Sequence, residues 1–362
     1  MKINIIKNFI KDYRISMNGH AQLVIDHLKK SSSNHTINSF LPKIGFFEKL
    51  ITSSIWKMRI ARYYTYPKII KNAEHADVAH VIDHQYGHLV HKINSKVKII
   101  TVHDLIPLIY AKSHNKTPYL SKYSLNHLKF FDQVIAISQN TKADILKYTD
   151  CPSHKIKVLK LPPEYFFNSS NIEQSVICKK FQLPINKKKI LFYGHGFYKN
   201  IETSLQVFKK LIDKDMDVIF IKLGHYEDIK MEKRYLEKIF QLQNLTRKEV
   251  SDINKISDVL LFPSIYEGWG LPVLEALKSG LPVVCSNSAS LPEVVENAAL
   301  TSHYLDVNFF TNAIYKLLSD NKFYNQKKEQ GITRAKNFDG KIYGDKLLKI
   351  YEDSLTDKFK NF

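Results

Sequence analysis

The stretch PSIYEGWGLPVLEALKSGLPVVCSNSASLPEVVE, Pro263 to Glu296, decides how the second half of this chain folds. The apolar run VLLF precedes it and predicts a buried strand over Val259–Phe262. A Gly-rich turn follows, then a helical segment, LPVLEALKSG, and a second strand-like run over Leu281–Cys285. This strand–loop–helix–strand order is typical of parallel α/β sheets, which bind their ligands at the carboxyl ends of the strands. We therefore expect the acidic residues of the turn to lie at a ligand site.

Two carboxylates, Glu267 and Glu275, lie eight positions apart across this turn. The glycines that follow Glu267 allow a sharp bend and a close approach to a ligand. The N–H groups at the start of the helix favour an anion such as a diphosphate. Glu275, one turn into the helix, suits paired hydroxyls. The combination indicates a nucleotide sugar, against the alternative that both carboxylates only cap the helix and favour its dipole.

A second Gly-rich turn, YGHGFYKN, follows the strand KKKILFY and carries Lys199. A lysine and backbone amides at such a strand-to-helix turn would lie near a phosphate. The alternative is an ordinary surface lysine in a loop. At the first strand-to-helix turn of a second domain, the phosphate interpretation gains weight.

The first half of the chain offers two weaker signals. His103, in TVHDLIP, ends a predicted strand, where an imidazole could hydrogen-bond a sugar hydroxyl or move a proton. Its alternative is a packed histidine followed by a capping Asp104. The segment MNGH predicts a loop after the first strand, with Asn18 and Gly19 on the acceptor side.

Strand-like runs alternate with amphipathic helical segments, which predicts an α/β protein with parallel sheets. We expect residues 1–165 to form an acceptor domain, 172–340 a donor domain, and the helix 341–362 to pack back on the first. The connector LPPEYFFNSSN, Leu161–Asn171, separates the two. Predicted strands, in chain order, are Lys2–Ile6, Val78–Ile82, Lys96–Val102, Gln133–Ile137, Lys155–Leu161, Lys189–Tyr193, Val218–Leu223, Val259–Phe262 and Leu281–Cys285.

The net charge is +19, from 54 basic and 35 acidic residues, and it favours polyanionic partners or reflects a lysine-rich composition. Segment 41–71 interleaves aromatic and basic residues, so it predicts either contact with an anionic membrane or a core-facing helix with a solvated basic face. No recognisable nucleic-acid-binding module occurs. The N-terminus lacks signal-peptide features, and three isolated cysteines lack metal-ligand spacing. These features favour a cytoplasmic location, peripheral on the membrane.

On these residues the chain resembles glycosyltransferase family 4, a retaining class with the GT-B fold of two Rossmann-like domains facing across a cleft. The motifs are the Glu267/Glu275 pair within YEGWGLPVLEA, HDLIP, Lys199–Asn200 and SLPEVVENAAL. The resemblance implies that Glu267 faces the transferred sugar, Glu275 the ribose and Lys199 the diphosphate, with His103 approaching the sugar. It also implies donor contacts from the loop and its neighbours: Gly268, Trp269, Gly270, Leu271, His195 and Asn200.

The resemblance implies a metal-independent transfer with no cofactor beyond the nucleotide-diphosphate sugar, GDP-mannose as first choice or a UDP-hexose. The acceptor would be a glycan or a lipid-linked sugar of a cell-surface polysaccharide. The alternative is a catalytically degenerate sugar-nucleotide-binding subunit. One departure concerns the turn after Tyr193, where relatives usually carry an arginine and this chain has His195.

Overall fold

The computed structural model describes residues 1–9, 15–31, 34–42, 54–110, 119–169 and 172–360. Within them the chain forms two compact units. Unit 1 comprises Met1–Leu161 with the C-terminal segment from Gly340, and unit 2 comprises Pro162–Asp339. The connector joins unit 2 from Pro162, so the first part of unit 1 ends at Leu161, four residues before the expected end of the first domain at 165. The cause is local, because Glu164 pairs with Arg247 and the Phe166 carbonyl accepts a bond from Ser251.

Unit 1 contains a six-stranded sheet in the order β2-β1-β3-β4-β5-β6, with every pairing parallel. Its core is aliphatic and aromatic, with Ile100, Val102 and Phe131 fully buried. The strands are β1 Lys2–Ile6, β2 Thr36–Phe40, β3 Ala76–Val81, β4 Ser95–Val102, β5 Gln133–Ala136 and β6 Ile156–Val158; the helices are α1 Ile15–Ser31, α2 Ser54–Ile60, α3 Tyr66–Ile69, α4 Ile106–Ile109, α5 Tyr119–Leu125 and α6 Gln139–Tyr148.

Unit 2 repeats this plan in a second parallel sheet, ordered β12-β11-β10-β7-β8-β9. Phe192, Phe208 and Phe220 pack together in its core. The strands are β7 Lys188–Tyr193, β8 Val218–Leu223, β9 Ile239–Leu242, β10 Val259–Phe262, β11 Val283–Ser286 and β12 Leu300–Ser302; the helices are α7 Gln174–Lys180, α8 Ile201–Asp213, α9 Lys233–Leu236, α10 Arg247–Ile256, α11 Leu271–Lys278, α12 Leu291–Val295, α13 Val307–Ser319 and α14 Asn321–Ala335.

The last helix, α15 Gly340–Lys360, belongs to unit 1 and packs against α1. Its buried residues include Leu347, Leu348 and Tyr351. The predicted α/β class with parallel sheets is thus confirmed. The prediction of the strands was incomplete, because it lacks the short β2, β9 and β12.

Candidate active site

The strand order of unit 2 reverses between β7 and β10, which lie side by side although β8 and β9 separate them in sequence. Such a switch point leaves a crevice at the carboxyl ends of the two strands, because their loops depart in opposite directions. The turn after β7 carries Lys199 and the turn after β10 carries Glu267. A hydrogen bond from Ile265 N to Tyr198 O, 2.8 Å long, joins the two turns.

Lys199 and Glu267 form an ion pair at this switch point. The Lys199 Nζ lies 2.7 Å from Glu267 Oε1, and the two side chains are 13% and 10% exposed. Nζ also lies 4.8 Å from the centre of the Phe262 ring. The sequence predicted roles for both residues at a donor, and the structure brings their charged ends into contact. The ammonium of Lys199 can therefore bind an anionic ligand, although Glu267 offsets part of its charge.

The turn after β7 needs glycine to seat Lys199. Gly194 has φ +98°, and a Cβ atom there would lie 2.9 Å from Lys199 Cε and 3.0 Å from its Cγ. The lysine stem thus lies along the glycine backbone, in space that another side chain would fill. This packing holds the ammonium near Glu267 instead of leaving it in solvent, as the surface-lysine alternative requires.

Asn200 has a different role from the predicted donor contact. It adopts a left-handed conformation, φ 58° and ψ 51°, and caps α8 by accepting a hydrogen bond from Thr203 N. Its Nδ2 donates to the carbonyls of Pro263 and Tyr304 at 3.0 and 2.8 Å. Because both ends of the amide are engaged within the protein, Asn200 fixes the β7 turn to the β10 loop.

Glu275 lies one turn into α11 and is 1% exposed. Burial raises its pKa to about 7, against the opposing charge of Arg247, whose Nη2 donates to Glu275 Oε1. Arg247 Nε donates to Glu164 Oε1 at 2.8 Å. A carboxylate that only caps a helix does not need to be buried. The helix-capping alternative therefore does not explain the burial of Glu275.

The loop between the two glutamates contains Gly268–Leu271, whose predicted contacts with the donor stay a prediction. Gly270, with φ 87°, precedes α11, and a Cβ there would lie 2.6 Å from Leu291 Cδ2. Trp269 is 2% exposed and its ring packs edge-to-face on Phe338, so the indole belongs to the packed interior. Ser290 Oγ donates to the Glu267 carbonyl at 2.9 Å and holds the loop from the far side.

His195 is exposed in the turn after β7, and its ring meets that of His225 edge-to-face at 4.4 Å. Burial, His225 and Lys222 together lower the pKa of His195, so it is largely neutral near pH 7. It can donate or accept a hydrogen bond there. It does not replace the permanent charge of the arginine usual at this turn.

In unit 1, His103 follows β4 and is 6% exposed. Its Nε2 donates to the Ile82 carbonyl at 2.9 Å, which fixes the ring orientation. The His20 ring packs edge-to-face against it, with centroids 4.6 Å apart. Burial and His103 lower the pKa of His20 well below its usual range, and His20 Nε2 has no hydrogen-bond partner among the described residues.

Asn18 and Gly19 do not form the predicted acceptor-side loop. Both lie inside α1 and are exposed, because a lone glycine costs a helix only about 1 kcal/mol. The buried member of that motif is His20, on the inner face of the same helix. Sequence reasoning missed His20, and it missed Arg247, whose only signal was a basic residue directly after the helix-capping Thr246.

Segment 41–71 lies partly outside the described residues, since 43–53 are not among them. From Ser54 onward it forms α2, a π-helical turn at Ala61–Thr65, and α3. Tyr66 and Ile70 are buried, whereas Trp56 and Tyr64 are 59% and 61% exposed. In the described part of the chain, no helix is both long and apolar enough to cross a membrane.

Comparison with known proteins identifies the domain that carries this site. Residues 174–334 match the family of group 1 glycosyl transferases, and this range includes Lys199, Arg247, Glu267 and Glu275. The chain therefore contains a group 1 glycosyltransferase domain, which confirms the resemblance at that level. Membership of family 4 within the group stays a prediction.

Two curated relatives come from Escherichia coli. The serotype-specific mannosyltransferase WbdA is 27% identical over 258 residues, which are 66% of this chain and 31% of WbdA. The chain thus spans about a third of that relative's length. The O-antigen chain mannosyltransferase B is 28% identical over 269 residues, which are 69% of this chain and 68% of that protein.

Among solved structures, Anabaena HepE in complex with UDP-glucose superposes with a TM-score of 0.70 at 13% identity. The match covers 98% of this chain and 100% of HepE. At this identity the likeness shows the fold alone. Together with the two parallel sheets it confirms the two-domain GT-B fold class.

Proposed function

We propose that this chain is a retaining glycosyltransferase that moves a hexose from a nucleotide-diphosphate sugar to a glycan or lipid-linked acceptor of a cell-surface polysaccharide. The observation that carries the proposal is the switch point of unit 2. There the ion pair of the half-buried Lys199 with the buried Glu267 lies beside the start of α11, and a second buried carboxylate, that of Glu275, lies one turn into the helix. These groups suit the phosphate, the sugar and the ribose of a nucleotide sugar.

Each group has a distinct part in the proposed reaction. Lys199 and the amides at the start of α11 neutralise the diphosphate, which makes a divalent cation unnecessary. Glu267 faces the transferred sugar and stabilises positive charge at its anomeric carbon. Glu275 accepts hydrogen bonds from the ribose hydroxyls. His103 of unit 1 orients the sugar through a hydrogen bond.

In the transfer itself, the bond between the anomeric carbon and the diphosphate oxygen breaks as the acceptor oxygen forms its own bond to that carbon. The acceptor attacks on the face that the diphosphate leaves, and the departing oxygen takes the acceptor proton. The configuration is therefore retained. The protein contributes orientation and charge stabilisation more than a nucleophile.

Mannose from GDP-mannose is the first choice of donor, because the curated relatives are named mannosyltransferases. A UDP-hexose is the second, because HepE was solved with UDP-glucose. A panel of nucleotide sugars tested for a rise in melting temperature decides between them, since a ligand stabilises the folded state by mass action. If no nucleotide or nucleotide sugar shifts melting, the proposal fails.

We also propose that unit 1 meets the cytoplasmic face of an anionic membrane. Trp56 and Tyr64 are exposed beside cations, with the Arg59 guanidinium 5.3 Å from the Trp56 ring and Lys68 Nζ 3.6 Å from the Tyr64 ring. Such aromatic–cationic pairs suit an anionic headgroup region. Wild-type protein should sediment with vesicles containing phosphatidylglycerol, and a W56A/Y64A variant should not. Equal sedimentation of both would leave only a solvated basic face.

A further inference from the structure

Arg247 is the first residue of α10, and its guanidinium connects three parts of unit 2. Nε donates to Glu164 Oε1 at 2.8 Å, and Nη2 donates to Glu275 Oε1. The Cζ atom of the guanidinium lies over the Phe167 ring, 5.0 Å from its centre. The side chain is thus fixed by two carboxylates and one aromatic ring, although 44% of it is exposed.

The contact matters because Glu275 is almost fully buried. A buried carboxylate without a partner takes up a proton near neutral pH, because the charged form loses its hydration. The charged and titratable groups that face Glu275 are Arg247 on α10, Glu164 on the connector, Lys278 on its own helix, and Tyr193 on β7. Arg247 contributes most of the charge that opposes protonation, and Lys278 contributes less.

We propose that Arg247 is a positioning residue, which holds the Glu275 carboxylate ionised and oriented to accept hydrogen bonds from the paired hydroxyls of the donor's ribose. This inference rests on the proposed function. An ionised carboxylate is an acceptor only, with about four lone-pair sites, so Arg247 can occupy one oxygen and leave room for two hydroxyls. A protonated carboxyl would compete as a donor and lose that match.

Glu164 and Phe167 explain why the residue is an arginine. A planar fork can donate to two carboxylates in fixed directions while its face lies on an aromatic ring. Lysine at this position would keep the positive charge but could not donate to both carboxylates in fixed directions. The opposing interpretation is that Arg247 only fastens the connector to α10 and α11. In that case it affects the stability of unit 2 but not the recognition of ribose.

The test compares nucleoside diphosphates with and without the ribose 2′-hydroxyl. Calorimetry of UDP against 2′-deoxy-UDP, and of GDP against 2′-deoxy-GDP, from pH 5.5 to 9 measures how strongly that hydroxyl is recognised. For the wild type we expect the nucleotide that binds to be preferred over its deoxy form about 10-fold at pH 8, which corresponds to about 1.4 kcal/mol for one hydrogen bond to a charged group. The preference should decrease as the pH falls through about 7.

In Arg247→Gln the preference at pH 7 should fall to about 2-fold and return only near pH 9, because the midpoint of its pH profile moves up when the opposing charge is lost. Arg247→Lys should lie between the two. Arg234→Gln is the matched control, because Arg234 also pairs with two carboxylates, those of Glu232 and Asp213, outside the site. The control should leave the preference unchanged.

Three results would overturn the inference. If Arg247→Gln and Arg247→Lys weaken both forms of the nucleotide equally, with an unmoved pH profile, Arg247 is only a structural fastener. If the wild type binds a nucleotide but ignores the 2′-hydroxyl, Glu275 does not recognise ribose, although the proposed function survives. If the wild type binds neither nucleotide, the proposed function fails and this inference fails with it. If Arg247→Gln does not fold, Arg247→Lys is the variant to compare with the wild type.

Discussion

In unit 1 the carboxyl ends of β3 and β4 carry buried imidazoles, His84 and His103, whereas in unit 2 the carboxyl ends of β7 and β10 carry the Lys199–Glu267 ion pair. Both sheets have six parallel strands. In unit 1, burial lowers the pKa of the neighbouring His20 and His80, so these rings are neutral. In unit 2 the opposite charges of Lys199 and Glu267 lie next to each other as an ion pair. One sheet architecture therefore carries a cluster of histidines at the strand ends of one unit and a lysine–glutamate ion pair at the strand ends of the other.

The largest expected effect comes from Glu267→Gln at the ion pair of unit 2. We expect the turnover number to fall about 10²–10³-fold, the usual cost of removing one group that stabilises transition-state charge. Nucleotide affinity should be unchanged or slightly higher, because Lys199 no longer shares its charge. Steady-state transfer assays with calorimetry of the bare nucleotide measure both. Glu232→Gln, at an exposed ion pair, is the control. A variant that transfers sugar as fast as the wild type would contradict the role of Glu267, whereas a wild type that binds a nucleotide sugar without transferring it would favour the degenerate-subunit alternative.

The next effect concerns stability against pH. The pKa of Glu275 is raised from 4.5 to about 7 in the folded protein. The protonated side chain therefore contributes fully to the free energy of unfolding below pH 4.5, and this contribution is lost as the pH rises through 7. Relative to Glu275→Gln, the wild type should lose on the order of 3 kcal/mol of unfolding free energy between pH 4.5 and 8. Urea unfolding at several pH values measures this. Parallel profiles for the two proteins would show that Glu275 titrates normally.

His103→Ala tests the histidine cluster of unit 1. We expect transfer to fall about 10–100-fold, because one oriented hydrogen bond to the sugar is lost. The affinity for free UDP or GDP should stay the same, since the nucleotide contacts belong to unit 2. Calorimetry and transfer assays separate the two quantities. A loss of nucleotide affinity as large as that of transfer would contradict the division of roles between the units.

The smallest effects compare one glycine from each unit. Gly270→Ala should destabilise by about 1–3 kcal/mol, because φ is 87° and the new Cβ meets Leu291. Gly19→Ala should stabilise by about 0.5–1 kcal/mol, because Gly19 lies in a helix with nothing within 4 Å of the added atom. Chemical denaturation measures both. A destabilised Gly19→Ala variant would contradict the helical conformation of Asn18–Gly19 and favour the loop that the sequence predicted.

The sequence predicts much of this structure because strong apolar runs such as VLLF leave few alternatives to a buried strand. It does not predict β2 or β12, since TINSF and LTS are short, polar and at sheet edges. Motif spacing predicts Glu267, Glu275 and Lys199. It cannot predict Arg247, whose role depends on a contact across 28 positions, or Asn200, whose amide is engaged by distant carbonyls.

The central claim is that the crevice of unit 2 binds a nucleotide diphosphate through Lys199. Its most direct test is calorimetric titration of the wild type, Lys199→Ala and the control Lys209→Ala with UDP and GDP. Lys209 pairs with Asp213 on the exposed side of α8. We predict that the wild type and Lys209→Ala bind one of the two nucleotides equally, and that Lys199→Ala binds it at least about 10-fold more weakly. Equal binding by all three proteins, or none by the wild type, would contradict the claim.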